Sequence, residues 1–363
     1  MKGKLQGRKI LLLCVAAVIV IALIVVGALV GVKYMERQDR IERANLALDN
    51  FLGYYYAESE DGTSAQIAGA HFWTQAEMFE IVVDAYEKTE DEKYLQLMDK
   101  LYHGFIEEHG EDWAHNSYND DIMWMTIGCA RAYQLTEDEQ YKESAEKHFN
   151  LVFERAWSED LGGGLFWRTD NQCKNSCINC PAVIAGCLLY QITEEQTYLT
   201  RAQQIYQWQI DTLYQENGAV YDSINMNGEY NTWCSTYNQG TFIGASHLLY
   251  KITGEQVYLD RAVKAADYTM NDMFAQEVIN SEDSGSDLPG FKGILVRWLG
   301  KLVEEEGQEQ YRDWMLLNAE SAWANQNERG LMNTLWGEKT KDAFYMPWGC
   351  SAAVSLMYSV IDI

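Results

Sequence analysis

The chain has 363 residues, 47% of them hydrophobic and 23% charged, and a net charge of −26. It is too apolar for a disordered chain and long enough for one large domain or two small ones. Residues 1–33 hold five basic side chains and no acidic one, so the remainder carries a net −31; such a surface repels phosphate backbones and anionic lipid, which argues against nucleic acid and leaves an uncharged polymer or a cation as partner.

In chain order, residues 1–9 form a short basic tail. Ile10 to Val32 is an unbroken apolar run of 23 residues, long enough to cross a bilayer as a helix. The basic start places the N-terminus in the cytoplasm. A secretory signal peptide has a shorter apolar core and a small-x-small cleavage site, so an uncleaved anchor is expected, with the acidic bulk of the chain, residues 33–363, outside the cell.

Beyond the anchor a pattern repeats. Thr-Glu-Asp-Glu-Lys-Tyr at Thr89 is followed by related runs at Thr136, Thr193 and Thr253, with a weaker copy ending at Tyr311. The tyrosines Tyr94, Tyr141, Tyr198, Tyr258 and Tyr311 are spaced 47, 57, 60 and 53 residues apart, as in repeated units with variable loops. Before each Thr-Glu turn lies a helix that is apolar nearly all round: Phe72–Lys88, Asp121–Leu135, Ala182–Ile192 and Thr241–Ile252. After each lies an amphipathic one, such as Lys142–Phe153 or Leu259–Met273. With Arg37–Ala57 at the start and Trp348–Ile361 at the end, about twelve helices alternate. This predicts an all-α fold, an (α/α)6 barrel of six inner and six outer helices.

The connections from outer to inner helices are longer: 108–119, 156–180, 214–238 and 276–290. They hold Trp113, Trp157, Trp167 and Trp233, and the run Gly162-Gly163-Gly164. With 12 Trp and 23 Tyr, the chain has more aromatic residues than a helical core requires, and aromatic loops at one end of a rigid scaffold are where a site is expected. On that rim stand Tyr118-Asn119-Asp120-Asp121, followed by Trp124. Carboxylates in a first helical turn suit the helix dipole, so the pair could be a helix-start device or a catalytic pair. The equivalent place in another unit reads Tyr237-Asn238-Gln239-Gly240, without acids, which favours catalysis. Neighbouring helical residues project about 100° apart, placing carboxyls roughly 5 Å from each other. That is the separation of a retaining glycosidase. Carboxyls so close cannot both ionise freely, so one becomes an acid.

Together, Asn119-Asp120-Asp121 with Trp124, Gly162-Gly163-Gly164 with Trp167, Lys174-Asn175-Ser176, Tyr237-Asn238-Gln239-Gly240, and Phe291-Lys292-Gly293 with Arg297 resemble glycoside hydrolase family 76, the endo-α-1,6-mannanases, over residues 40–362. The resemblance implies the same barrel and a retaining hydrolase of α-1,6-mannan or a related α-mannoside, acting without cofactor or metal. It maps the nucleophile onto Asp120, the acid/base onto Asp121 and a sugar-contacting Asp onto Asp222. Tyr118, Asn119, Trp124, Trp167, Asn175, Tyr237, Asn238, Lys292 and Arg297 are the other expected sugar-binding residues. A transglycosidase and a non-catalytic glycan-binding wall protein are the alternatives. A monomer is expected.

Cys173, Cys177 and Cys180 form C-x3-C-x2-C, the spacing of a radical-enzyme iron–sulfur site. In an exported chain without strand–helix alternation, a disulfide among these and Cys187 is the stronger expectation, with free thiols as a further possibility. The six histidines show no metal-ligand spacing, and the acidic stretch 281–287 reads as a solvated loop.

Overall fold

The computed structural model describes residues 2–280, 287–342 and 346–363, with the side chains of residues 2–24 and 29 outside the description. Twelve α-helices dominate: α1 (Lys2–Tyr55), α2 (Phe72–Thr89), α3 (Lys93–His109), α4 (Asn119–Thr136), α5 (Glu139–Ala156), α6 (Ser176–Thr193), α7 (Gln196–Thr212), α8 (Thr236–Thr253), α9 (Gln256–Tyr268), α10 (Phe291–Glu306), α11 (Arg312–Ala324) and α12 (Pro347–Ser359). The even-numbered helices pack in a closed ring, each touching the next and α12 returning to α2, while each odd-numbered helix lies outside against its partner. The alternation read from the sequence is therefore real, and the ring closes into a helical barrel. α6 is long and apolar enough to cross a membrane, but 78% of it is buried, as befits an inner helix. The expected anchor, residues 10–32, falls largely on side chains outside the described set.

The repeated Thr-Glu motif is a helix-ending device. Thr89, Thr136, Thr193 and Thr253 each donate from Oγ1 to the carbonyl four residues back, at 2.6–2.8 Å. Each also accepts the amide of the residue two places on, at 3.2–3.3 Å. The residue between, Glu90, Glu137, Glu194 or Gly254, turns left-handed with φ of 55°, 56°, 59° or 71°. Its amide closes onto a tyrosine carbonyl of the inner helix, which satisfies an otherwise orphaned acceptor. Gly240 lets α8 and α10 touch: a Cβ there would stand 2.5 Å from the Leu295 Cα.

The barrel interior is charged. Glu77, Glu80, Asp84 and Glu87 follow a helical stripe along α2. Arg131 of α4 meets Glu80, Asp84 and Glu87 at 2.7–2.8 Å. Arg297 of α10 meets Glu77 at 2.6 Å and Asp84 at 2.8 Å. Despite burial, the two guanidinium groups hold Asp84 down at about 2. Burial lifts Glu77 to about 7 against the pull of Arg297, and a neutral Glu77 leaves three acids against Arg131, Arg297 and Lys301.

The inner helices begin earlier than their apolar runs suggest. α6 starts at Ser176 rather than Ala182, and α8 at Thr236 rather than Thr241. Their first turns are polar because they face a cavity, and α6 carries Pro181 inside its second turn. The outer-to-inner connections also contain short strands: β1 (Tyr56–Glu58) pairs with β2 (Ala65–Ile67), and β3 (Cys173–Asn175) pairs with β4 (Ser223–Asn225), which pairs with β5 (Tyr230–Asn231).

Candidate active site

The N-terminal ends of five inner helices converge on a cavity of about 490 Å³. It is lined by Trp73 from α2, by Asp121 and Trp124 from α4, and by Phe291 from α10, with Tyr237 from α8. Helix N-termini carry partial positive charge, which suits carboxylates and developing oxyanions. The lining is aromatic on two sides. Tyr237 stacks on Phe291 at 3.9 Å between ring centroids, with Trp124 and Trp73 beside them. Opposite, Tyr118 meets Trp167 edge-on at 5.4 Å.

The two carboxylates stand between these walls. Asp120 is 9% exposed; its Oδ2 accepts from Trp167 Nε1 at 2.9 Å. Its Oδ1 is buried with no hydrogen-bond partner among the described residues. Asp121, half-buried beside it, accepts from Asn116 Nδ2 at 3.0 Å. Burial, reinforced by the charge of Asp121, pushes Asp120 up to about 8. Burial, with Asp287 on the rim, pushes Asp121 up to about 6 despite Asn116. Near neutral pH such a pair holds one proton between two carboxyls, which is the state an acid-and-nucleophile or acid-and-base couple requires.

Asp222, reached from the loop before α8, is tied down by Ser223 at 2.9 Å, Asn231 at 3.0 Å and Asn238 at 3.3 Å. Burial raises its pKa against those three donors. Asn175, 7% exposed on the cavity wall, has a buried Oδ1 with no partner among the described residues.

Of the residues expected from the sequence, Tyr118, Asp120, Asp121, Trp124, Trp167, Asn175, Asp222 and Tyr237 line one cavity. Four do not. Asn119 is spent inside the fold, accepting from Arg155 Nε at 2.6 Å and donating to the Phe166 carbonyl at 2.8 Å. Asn238 holds Asp222 from behind. Lys292 is fully buried and donates to the carbonyls of Ile279, at 3.1 Å, and Thr334. Arg297 belongs to the ion network on α2. One residue decides the difference at α10: a 100° step along the helix turns Phe291 to the cavity and Lys292 away from it.

The sequence reading missed Trp73, Cys173, Cys177, Ser223, Asp287 and Phe291 as cavity residues. Trp73 and Phe291 lie in the first turn of their inner helices, as Asp120 and Asp121 do in α4, and that register is the signal that finds them. Trp113, expected on the rim, is instead fully buried and stacks on His148 at 3.5 Å. The glycine run is a structural turn: a Cβ on Gly164 would stand 2.4 Å from the Trp208 ring. The buried Lys174 ammonium gathers the carbonyls of Ser158, Asp160 and Gly163 at 2.5–2.8 Å. The expected disulfide is not formed. Cys173, Cys177, Cys180 and Cys187 are all free thiols, because α6 takes in three of them and buries them separately. The Cys177 thiol lies against the Asp120 carboxyl and the Tyr237 hydroxyl. Among the described residues, no group of three or more His, Cys, Asp or Glu is placed to hold a metal.

A family model, glycosyl hydrolase family 76, matches residues 41–360. The chain belongs to glycosyl hydrolase family 76. As a family 76 chain it is a glycoside hydrolase, and solved structures agree with its barrel. One is an inactive variant of the alpha-1,6-mannanase GH76A of Salegentibacter sp. HEL1_6, with two consecutive Asp residues replaced by Asn, in complex with alpha-1,6-mannotriose. It is 32% identical at a TM-score of 0.80, over 89% of this chain and 99% of that one. The Lin0763 protein of Listeria innocua is 30% identical at a TM-score of 0.81, over 88% and 96%. Among curated relatives, a mannan endo-1,6-alpha-mannosidase, DFG5, of Candida albicans is 24% identical over 77% of this chain and 69% of its own length.

Proposed function

We propose that the chain is a retaining endo-hydrolase of α-1,6-linked mannan, held at the outer face of a membrane by residues 10–32 and acting as a monomer. The observation that carries this reading is the adjacent, buried Asp120-Asp121 pair, holding one proton between two aromatic walls. The inactive Salegentibacter mannanase that binds alpha-1,6-mannotriose also lost two consecutive Asp residues, which supports the same role for the pair here.

Asp120, fixed by Trp167, attacks the anomeric carbon and forms a covalent glycosyl-enzyme. Asp121, nearer solvent, protonates the departing oxygen and then takes a proton from the incoming water. Before substrate binds, burial favours the proton on Asp120, the more buried of the two. Positive charge developing at the anomeric carbon favours ionised Asp120, as do the Trp167 N–H and the α4 N-terminus, and the proton passes to Asp121. Asp222 and Asn175 supply acceptors for sugar hydroxyls, and Trp124, Tyr237, Phe291 and Trp73 offer rings for sugar faces.

Incubation of residues 40–363 with α-1,6-mannan and with other α-linked glycans tests the reading. Release of α-1,6-mannooligosaccharides is expected, with less than a thousandth of that activity in Asp120→Asn and Asp121→Asn. Undiminished activity in both variants would sink it. An added acceptor sugar distinguishes hydrolysis from transfer by the products formed.

A further inference from the structure

Every residue lining the cavity comes from the N-terminal end of an inner helix or from a connection leading into one. The short Thr-Glu turns close the opposite end of the barrel. The course of α1 relates these two ends to the apolar segment that precedes them. α1 is the first outer helix and runs antiparallel to α12. Its C-terminal end reaches the cavity end, where the Tyr55 hydroxyl meets Cys350 at 3.6 Å, four residues into α12.

Its point of entry lies at the other end. Arg37 donates to the Lys88 carbonyl at 3.1 Å and pairs with Asp362 at 2.6 Å. Asp362 also pairs with Lys88 at 2.9 Å, and Lys88 pairs with Glu304 at the close of α10. Arg40 caps the last carbonyls of the chain, at Val360 and Ile361. α1 is thus clamped to the last turn of α2 and to the residues that follow α12, and Lys88 ties both to the end of α10. Before Arg37 it leaves the barrel: Val25, Val26, Val30, Val32, Tyr34 and Met35 are 52–72% exposed among the described residues. No helix break separates these residues from the clamped part.

The distance follows from the helix rise. Trp73 in the cavity precedes Lys88 by fifteen residues of α2, and Val32 precedes Arg37 by five of α1. At about 1.5 Å per residue the two steps give roughly 30 Å between the end of the apolar segment and the cavity.

We infer that the barrel stands on α1 as on a strut, with its cavity opening away from the bilayer about 30 Å above it. Its substrate is therefore glycan extending clear of the membrane, and the sugars beside a lipid headgroup are out of reach. This rests on the reading of residues 10–32 as an anchor and, for its substrate half, on the hydrolase reading. The occupant of the exposed apolar face of α1 is the bilayer itself, because that face continues the 23-residue apolar run behind a basic start.

Two measurements on the full-length chain in liposomes separate the parts. An encoded fluorophore replaces Glu92, at a short turn, or Tyr230, on the rim hairpin, and energy transfer to acceptor-labelled lipid is read. Strong transfer from position 92 and weak transfer from 230 are expected; equal or reversed transfer overturns the orientation whether or not the chain is active. A chain that does not float with the vesicles overturns the anchor and this inference with it. In the second measurement, the anchored chain should cleave soluble α-1,6-mannan at the rate of residues 40–363. It should cleave a short α-1,6-mannosyl lipid in its own bilayer at least tenfold more slowly than those residues cleave the same lipid in detergent. A long Gly-Ser insertion after Lys33 should abolish that difference. Cleavage of the embedded lipid by the uninterrupted chain at the soluble domain's rate refutes the exclusion. Loss of all cleavage, with the transfer pattern intact, refutes the hydrolase reading and not the geometry.

Discussion

Asp120→Asn should make the protein more stable as well as inactive, and the gain should depend on pH in a defined direction. In the fold, burial and Asp121 raise the Asp120 carboxyl from 3.8 to about 8. A carboxyl with a raised folded pKa contributes its full stability below the unfolded value and loses it as pH rises through the folded value. The native state is therefore penalised progressively between about pH 4 and pH 8. At about 1.4 kcal/mol per pH unit, the upper limit is roughly 6 kcal/mol. Water entering an open cavity and relaxation around Asp121 reduce this, so a gain of about 2–3 kcal/mol at pH 8.5 is expected, shrinking to near zero at pH 4. Asn keeps the shape and still accepts from Trp167 Nε1, so no cavity confounds the comparison. Urea unfolding of residues 40–363, followed by tryptophan fluorescence at pH 4, 6 and 8.5, measures the difference directly. A variant destabilised at every pH, or one whose stability difference does not change with pH, would refute the claim that burial holds the Asp120 carboxyl against ionisation.

The pH dependence of kcat/KM on α-1,6-mannooligosaccharides should be bell-shaped, with limbs near 6 and 8. Activity is lost below the lower limb as both carboxyls protonate and above the upper as both ionise; a flat profile from pH 5 to 9 would exclude the shared proton. Trp167→Phe keeps the aromatic wall but removes the donor to Asp120, so kcat should fall about 10- to 100-fold, as for a lost hydrogen bond to a charged group. The upper limb should also move to higher pH; an unmoved limb counts against the contact. Arg297→Met should cost about 3–5 kcal/mol by leaving Glu77 and Asp84 without their partner, with KM unchanged in the molecules that remain folded; a raised KM at unchanged stability would return Arg297 to substrate binding. Glu137→Gly should raise stability by about 1 kcal/mol, since glycine adopts φ of 56° without the cost a side chain incurs, and Gly254→Glu should lower it by a similar amount; thermal melts of both variants decide.

The sequence alone determined the barrel. Its period is written in chemistry that acts locally: a threonine that caps its own helix, a left-handed residue after it, and a tyrosine in the first turn of the next helix. The division into inner and outer helices was equally legible, because the inner helices are apolar nearly all round and the outer ones on a single face. Asp120 and Asp121 could be singled out for a related reason, since two acids opening an apolar helix stand out when another unit lacks them.

Only the tertiary structure decided which polar neighbours face the cavity. Phe291 and Lys292, or Asn119 and Asp120, are adjacent in sequence and differ by one helical step, and the direction of that step depends on how the ring closes. Burial likewise separated the tryptophans, placing Trp113 in the core and Trp167 on Asp120. The charge stripe on α2, a helix read from the sequence as apolar nearly all round, lies inside the barrel because Arg131 and Arg297 arrive from other helices to neutralise it. The thiols of α6 followed the same rule. Close spacing in sequence suggested that they meet, whereas on a helix their positions are set by a 100° rotation per residue, and only packing shows what each one touches.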